Sequence, residues 1–206
     1  MAEKLKISTL NIRSLADSKK RSCIKEWFQK NHAGVLFLQE THSVESSIET
    51  WCKEWNSKFY CSHGSSKSRG VAIVLPNDMH HTIVNTFNDD NGRIIGIDCD
   101  INNENLVFVN CYFPTKDKQS DQLKTLLSLR NMLIPYADKK IIIGGDFNVV
   151  LDPLLDKQGG VCATTESKQI RVELNALLKA HALYDCLRIK NEGKHFFYMV
   201  IQTLES

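Results

Sequence analysis

This sequence lacks the features that would indicate a membrane-spanning or a secreted, disulfide-bonded protein. No apolar run approaches the roughly 20 residues that a membrane-spanning helix requires. Residues 1–7 contain lysines, and no apolar stretch of signal-peptide length follows them, so the sequence does not predict secretion. None of the seven cysteines forms a Cys-x-x-Cys pair, and their number is odd. We therefore expect reduced, mostly buried thiols in an intracellular protein.

Internal repeats, linkers, low-complexity tracts and a strong charge of either sign are also absent. The chain has 206 residues, which is enough for one domain with a substantial core. Its 42% hydrophobic and 24% charged residues are ordinary for a globular protein. A net charge of +2 neither requires nor excludes a nucleic-acid partner, because an enzyme that visits DNA does not need a large basic excess.

Apolar periodicity predicts alternating strands and helices along the chain. Strands are predicted over residues 5–10, 35–39, 71–75, 94–101, 106–112 and 141–144. Helices are predicted over 20–30, after the capping-box pattern at 46–49, and around 123–133 and 170–181. The adjacent strands around 102–105 form a hairpin, which argues against a purely parallel sheet. We therefore expect mixed sheets covered by helices.

The most informative motif lies where the last of these strands ends. The β-branched run 141–143 is followed by Gly144 and Gly145, then by Asp146 and, two residues later, Asn148. We predict that the two glycines end the strand and allow a tight turn. Ligand sites of open α/β sheets lie beyond the carboxyl ends of strands. A carboxylate there can take a proton or bind a metal, and an amide can donate to a phosphate oxygen.

Similar polar residues follow three other predicted strands. They are Asn11, Glu40 and Tyr112. Each has an ordinary structural explanation by itself: a turn asparagine, a solvated acid, or a buried tyrosine with a satisfied hydroxyl. The recurrence of this chemistry at four strand ends indicates a site for a metal or a phosphate.

Five motifs, in this order, resemble a known family. They occupy residues 9–15, 37–42, 68–73, 109–114 and 144–148. The sequence resembles the endonuclease/exonuclease/phosphatase superfamily, and within it the apurinic-endonuclease-like domain of LINE-type (non-LTR) retrotransposons. The resemblance covers residues 1–188, and residues 189–206 form a non-matching C-terminal tail.

The resemblance implies a fold, an activity and partners. The expected fold is α/β (α+β), a four-layer sandwich of two mixed β-sheets flanked by helices. The expected activity is nicking of double-stranded DNA with Mg²⁺ (or Mn²⁺) as the cofactor. A reverse transcriptase domain is expected in the parent element, which would act in the nucleus. We expect a monomer without membrane association.

The resemblance also implies roles for the residues at the strand ends. Glu40 would be the principal metal ligand, with Asn11 beside the metal and the scissile phosphate. Tyr112 would hydrogen-bond the phosphate. Asp146 would orient or deprotonate the attacking water, and Asn148 would position phosphate or water.

Three further residues are predicted to contact nucleic acid. Arg69 lies in the stretch that borders the DNA cleft in relatives, and Asn110 lies in the motif that carries Tyr112. Arg13 stands where some relatives have an acid, so more of the metal binding would fall to Glu40.

The family's closing Ser-Asp-His motif has no counterpart here, because none of the seven histidines follows an aspartate. We therefore expect a truncated sandwich that lacks its last strands, with an unpaired sheet edge and a partly formed cleft. His195 is a weak candidate for a replacement. A His80–His81 metal pair is weaker, since neighbouring side chains of a strand point to opposite faces.

Two alternatives stay open from the sequence. One is an inactive remnant that at most binds metal or nucleic acid. The other is a phosphoinositide phosphatase or a lipid phosphodiesterase of the same superfamily, which shares the metal-binding residues. Residues 11–15 and the compact length favour the retroelement branch.

Overall fold

The computed structural model describes residues 5–31, 34–115, 118–149, 165–186 and 199–203. Its ten strands are β1 Ile7–Asn11, β2 Val35–Gln39, β3 Ser57–Ser62, β4 Val71–Pro76, β5 His81–Asn88, β6 Ile94–Ile101, β7 Glu104–Tyr112, β8 Lys140–Asp146, β9 Leu183–Asp185 and β10 Met199–Thr203. Its four α-helices are α1 Ser18–Lys30, α2 Glu45–Trp55, α3 Gln119–Leu133 and α4 Thr165–Ala180, and a 3-10 turn, Ile134–Tyr136, follows α3. None of the described helices is long and apolar enough to cross a bilayer.

The strands form two mixed sheets. The first has the order β1-β2-β4-β3, in which β1 and β2 are parallel and the other pairs are antiparallel. The second has the order β5-β6-β7-β8-β10-β9, in which β7 and β8 are parallel. The prediction of two mixed sheets flanked by helices is confirmed.

Side-chain alternation along the buried strands builds the four layers. In β2, Phe37 packs between the sheets, whereas Leu36 and Leu38 pack beneath α1 and α2. In β8, Ile142 faces the other sheet, whereas Ile141 and Ile143 pack beneath α3 and α4. Both faces of these strands are covered, which explains the uninterrupted apolar stretches 35–38 and 141–143 within them.

The described strands differ from the predicted ones at both sheet edges. Neither β3 nor β5 was predicted. In the case of β5, the reason is that it is an edge strand whose residues are mostly exposed. β10 lies in the segment 189–206 that the sequence analysis separates as a tail, and it pairs with β8 and β9. The edge of β8 is therefore covered, in contrast to the expected unpaired edge.

The cysteines follow the prediction in part. Cys99 and Cys111 are buried thiols in β6 and β7, and burial raises the pKa of Cys99 to about 12. Cys23 on α1 is exposed, so burial does not extend to every thiol. Cys162 lies outside the described residues.

A buried amide links the two sheets at their centre. The Asn110 side chain in β7 is completely inaccessible to solvent, and its Nδ2 donates to the carbonyls of Leu38 (2.9 Å) and Ala72 (2.8 Å) in the first sheet. Its Oδ1 accepts from Gln39 Nε2 at 2.7 Å. The facing sheets are therefore joined by directional bonds as well as by apolar contact.

We predict that Asn110→Ala lowers the free energy of unfolding by about 3 kcal/mol, because each buried polar group left without a partner costs about 1–3 kcal/mol. Urea unfolding measures the change. Asn105→Ala is the matched control, since Asn105 is an exposed residue of the same strand. The control is expected to stay within about 0.5 kcal/mol of the wild type, and equal effects of the two substitutions would contradict the role of Asn110.

Candidate active site

Four strand ends converge on one edge of the sandwich. The parallel pair β1 and β2 ends with Asn11 opposite Gln39, and Glu40 follows immediately. The parallel pair β7 and β8 ends with Tyr112 opposite Asp146. Since the two sheets face each other, the residues predicted at separate strand ends lie together, as expected for the carboxyl edge of an α/β sheet.

One amide connects the two carboxylates across the sheets. Asn11 Nδ2 donates to Glu40 Oε1 at 2.8 Å and to Asp146 Oδ2 at 3.1 Å. Tyr112 lies close enough to Glu40 for that carboxylate to raise the pKa of its hydroxyl. The structure therefore brings together four of the five residues predicted to be catalytic.

Burial sets the acid–base character of this cluster. It raises the pKa of Asp146, and the negative charge of Glu40 adds to the effect, while the bonds from Asn11 and from the Asn148 backbone oppose it. The pKa of Tyr112 is raised well above its usual range, first by burial and then by the neighbouring Glu40 carboxylate. The tyrosine hydroxyl is thus held protonated, and Asp146 is a stronger base than an exposed aspartate.

Asn148 completes the turn that follows Asp146. Its backbone N–H donates to Asp146 Oδ1 at 3.2 Å, and its Nδ2 donates to the Phe113 carbonyl at 2.9 Å. Gln122 of α3, which was not predicted, donates to the carbonyls of Asn148 (3.1 Å) and Pro114 (2.7 Å). Asn148 therefore lies at the site, with its Nδ2 already bonded to the backbone.

The two glycines before Asp146 have a different role from the predicted one. Both lie within β8 and neither ends it. A Cβ on Gly144 would lie 2.4 Å from the Phe37 ring of the other sheet. Gly145 has φ +141°, and a Cβ there would lie 2.0 Å from the Cys111 carbonyl oxygen. The glycines allow close approach of the sheets and strands beside the site.

Glu40 has a left-handed backbone conformation, with φ +53°. Its carbonyl accepts from Ser14 N at 2.6 Å, while the next two N–H groups donate to the carbonyls of Gly70 (3.0 Å) and Arg69 (2.9 Å). Such strain persists only where the surroundings enforce it, and it is common at functional sites. These bonds therefore fix the direction of the Glu40 side chain.

The residues predicted to contact nucleic acid have different environments. Arg13 is exposed beside Asn11, and Arg69 is half-buried in the loop whose backbone bonds to residues 41–42. Asn110 is completely buried with its amide in three hydrogen bonds, so the prediction that it contacts nucleic acid is wrong. His195 lies outside the described residues.

Arg93 was missed by the sequence analysis. Its guanidinium carbon lies 5.5 Å from the centroid of the Tyr112 ring, and its Nη1 donates to the Tyr112 carbonyl at 3.2 Å. The sequence signal was the Gly92-Arg93 step immediately before β6, which pairs with the strand that carries Tyr112.

The donor set suits a hard divalent cation. Glu40, Asp146 and the Asn11 amide offer oxygen ligands, which Mg²⁺ and Mn²⁺ prefer. Within the described part of the chain, no group of three or more His, Cys, Asp and Glu residues could hold a metal. A site with one or two carboxylates fits Mg²⁺, because that ion retains several of its waters.

Comparisons with known proteins agree with this architecture. The profile of the Endonuclease/Exonuclease/phosphatase family matches residues 8–158. The chain is 26% identical over 148 residues to the "Transposon TX1 uncharacterized 149 kDa protein" of Xenopus laevis, a match over 72% of this chain and 11% of that protein.

Two solved structures share the fold. An AP endonuclease from Archaeoglobus fulgidus has a TM-score of 0.70 and 21% identity, with 97% of this chain and 87% of that chain covered. The AP endonuclease LMAP from Leishmania major has a TM-score of 0.74 and 14% identity, with 97% and 79% covered.

Because the pKa of Asp146 is raised in the folded state, we predict that its contribution to the free energy of unfolding of the metal-free protein depends on pH. A raised folded-state pKa means that the folded protein binds the proton more tightly, so the stability from this group falls as pH rises above the ordinary value of about 3.9. Asp146→Asn removes the titration. The unfolding free energy of the variant minus that of the wild type should therefore be more positive at pH 7 than at pH 4. Urea unfolding in EDTA tests this, and a difference independent of pH would contradict it.

Proposed function

Since the chain belongs to the Endonuclease/Exonuclease/phosphatase family, we propose that it is a divalent-metal-dependent endonuclease that nicks double-stranded DNA. The observation that carries the proposal is the bridge from Asn11 to Glu40 and Asp146, which sets two carboxylates from different sheets around one point. That arrangement suits hydrolysis of a phosphodiester, in which a metal ion and a base act on the same phosphorus.

Glu40 is the principal metal ligand in this proposal. The Asn11 amide, whose Nδ2 donates to Glu40 and whose Oδ1 accepts from Arg13 N–H at 3.3 Å, would lie beside the metal. When bound, Mg²⁺ supplies polarisation of the phosphoryl oxygen and stabilises the leaving oxygen. The left-handed backbone of Glu40 and its three neighbouring hydrogen bonds hold the carboxylate in place for this purpose. A ligand fixed in advance costs less to organise when the substrate binds.

The other residues act on the phosphate and the water. The Tyr112 hydroxyl, held protonated, donates to a non-bridging phosphate oxygen. Asp146 accepts a proton from the attacking water on one carboxylate oxygen, and its raised pKa brings it closer to neutrality, where a general base is most effective. Asn148 positions the phosphate or the water beside Asp146.

We further propose that this endonuclease domain belongs to a protein of a retroelement, the parent element. The similarity to the Xenopus transposon protein and the order of the five motifs support that branch. Arg69 and Arg13 would contact the DNA backbone at the rim of the site. The proposal also includes a reverse transcriptase domain elsewhere in the parent element. It further holds that the endonuclease domain is a monomer and that it acts in the nucleus.

A second candidate is a catalytically inactive domain that retains metal or DNA binding. The specific observation in its favour is that no histidine of the sequence follows an aspartate. The phosphoinositide or lipid phosphoesterase alternative uses the same residues, and the choice of substrate separates it from the endonuclease.

We predict that the protein converts supercoiled plasmid to the open circle in Mg²⁺ and that EDTA stops the reaction. Asp146→Asn should lower the rate about 10²–10⁴-fold, because it removes the group that takes the proton. Glu40→Gln should lower it as well, through the loss of a metal-binding oxygen charge.

The matched control is Glu49→Gln, because Glu49 is an exposed carboxylate on α2 that pairs with Lys53. Its rate should equal that of the wild type. DNA binding without nicking would favour the inactive domain, and hydrolysis of a phosphoinositide but not of DNA would favour the phosphoesterase.

A further inference from the structure

Arg93 is a half-buried cation beside the candidate active site. Its guanidinium lies over the Tyr112 ring, and its one hydrogen bond to a described residue goes to the Tyr112 carbonyl at 3.2 Å. Among the described residues, no carboxylate lies within 4.0 Å of its nitrogens. Burial and then the nearby Arg69 lower the pKa of Arg93, while Tyr112, Asp89 and Asp121 oppose that shift without cancelling it.

The two carboxylates whose charges act on Arg93, Asp89 and Asp121, are bonded to other groups. Asp89 Oδ1 accepts from the backbone N–H groups of Arg93 and Ile94, both at 2.8 Å, and from the Ser62 hydroxyl at 3.1 Å. Asp121 pairs with Lys124 at 3.6 Å. The carboxylates near Arg93 therefore hold backbone and neighbouring side chains, and its guanidinium keeps most of its donors available.

The backbone fixes both arginines at the same rim of the site. Gly70 N–H donates to the Gly92 carbonyl at 3.0 Å, and His42 N–H donates to the Arg69 carbonyl at 2.9 Å. Gly92 has φ +67°, and a Cβ there would lie 2.6 Å from the His63 backbone. The Arg69–Gly70 and Gly92–Arg93 steps thus converge beside the loop that carries Glu40, the proposed metal ligand.

We propose that Arg93, with Arg69 beside it, binds a backbone phosphate of DNA adjacent to the phosphate that is cleaved, and that the Tyr112 ring holds the guanidinium in place. A cation that is partly removed from water and has no ion-pair partner among the described residues is costly to hold, and an anion from the substrate relieves that cost. A guanidinium matches phosphate geometry through two parallel hydrogen bonds.

This inference rests on the proposed function, because the anion it names belongs to DNA. It also connects the binding of the flanking phosphate with the residues that act on the cleaved phosphate. The ring that stacks beneath Arg93 belongs to the tyrosine that lies beside Glu40. The same residue therefore connects the flanking phosphate with the metal centre.

The test is the salt dependence of DNA binding by the full chain. A labelled 20-base-pair duplex is titrated in EDTA between 50 and 200 mM NaCl, with fluorescence anisotropy as the readout. Each neutralised phosphate contributes about 0.9 to the slope of log K against log salt. Arg93→Met should lower that slope by about 1 and weaken binding about 10-fold at 100 mM salt. Arg93→Lys should keep the slope because it keeps the charge.

The matched control is Arg130→Met, which removes an exposed arginine on α3 that lies 3.8 Å from Glu173. It should leave the slope unchanged. Arg69→Met provides a second test if Arg93→Met does not fold, and it should also lower the slope. Thermal unfolding of each variant separates loss of binding from loss of structure.

The outcomes distinguish failure of the inference about Arg93 from failure of the proposed endonuclease function. If the wild type binds DNA and folded Arg93→Met has the same slope as the wild type, the inference is overturned and the proposed function is left intact. If Arg93→Met does not fold, the same outcome with Arg69→Met overturns the inference. Equal slope losses in Arg93→Met and Arg130→Met would overturn it too, since they would reflect net charge. A wild type that neither binds nor nicks DNA would overturn both.

Discussion

The contact between Asn110 and the first sheet is the constraint on which the rest of the structure depends. Apolar packing alone holds two sheets together but tolerates small sliding, because dispersion and hydrophobic contacts have little directionality. The bonds from the Asn110 amide to the carbonyls of Leu38 and Ala72 have fixed geometry and lie in a dry interior. They set how the second sheet sits over the first.

That register decides whether a site exists at all. Glu40 and Asn11 come from the first sheet, and Tyr112 and Asp146 come from the second. Asn110 lies two residues before Tyr112, and Gln39, which bonds to Asn110, directly precedes Glu40. The inter-sheet link therefore lies immediately below the site, so a small shift between the sheets would separate the two carboxylates. Gly144 allows the approach, because a side chain there would meet the Phe37 ring.

Sequence reasoning identified much of the site because its chemistry is local. Glu40 follows the short strand Val35–Gln39, and Asp146 ends the strand Lys140–Asp146. An acid at the end of a short, mostly apolar run is visible without knowledge of the fold. Asn110 was misjudged for the opposite reason. Its neighbours on β7 are apolar on both sides, and only the arrangement of the second sheet shows which carbonyls need its amide. Arg93 depends on tertiary proximity in the same way, since its partner Tyr112 is 19 residues away.

The central claim is that strand ends of two sheets form one divalent-metal centre. Titration of the metal-free protein with Mn²⁺, followed by electron paramagnetic resonance, tests it most directly because it requires no turnover. The account predicts one binding site in the wild type, loss of that site in Glu40→Gln, and full binding in Glu49→Gln. Equal Mn²⁺ binding by all three proteins would contradict it.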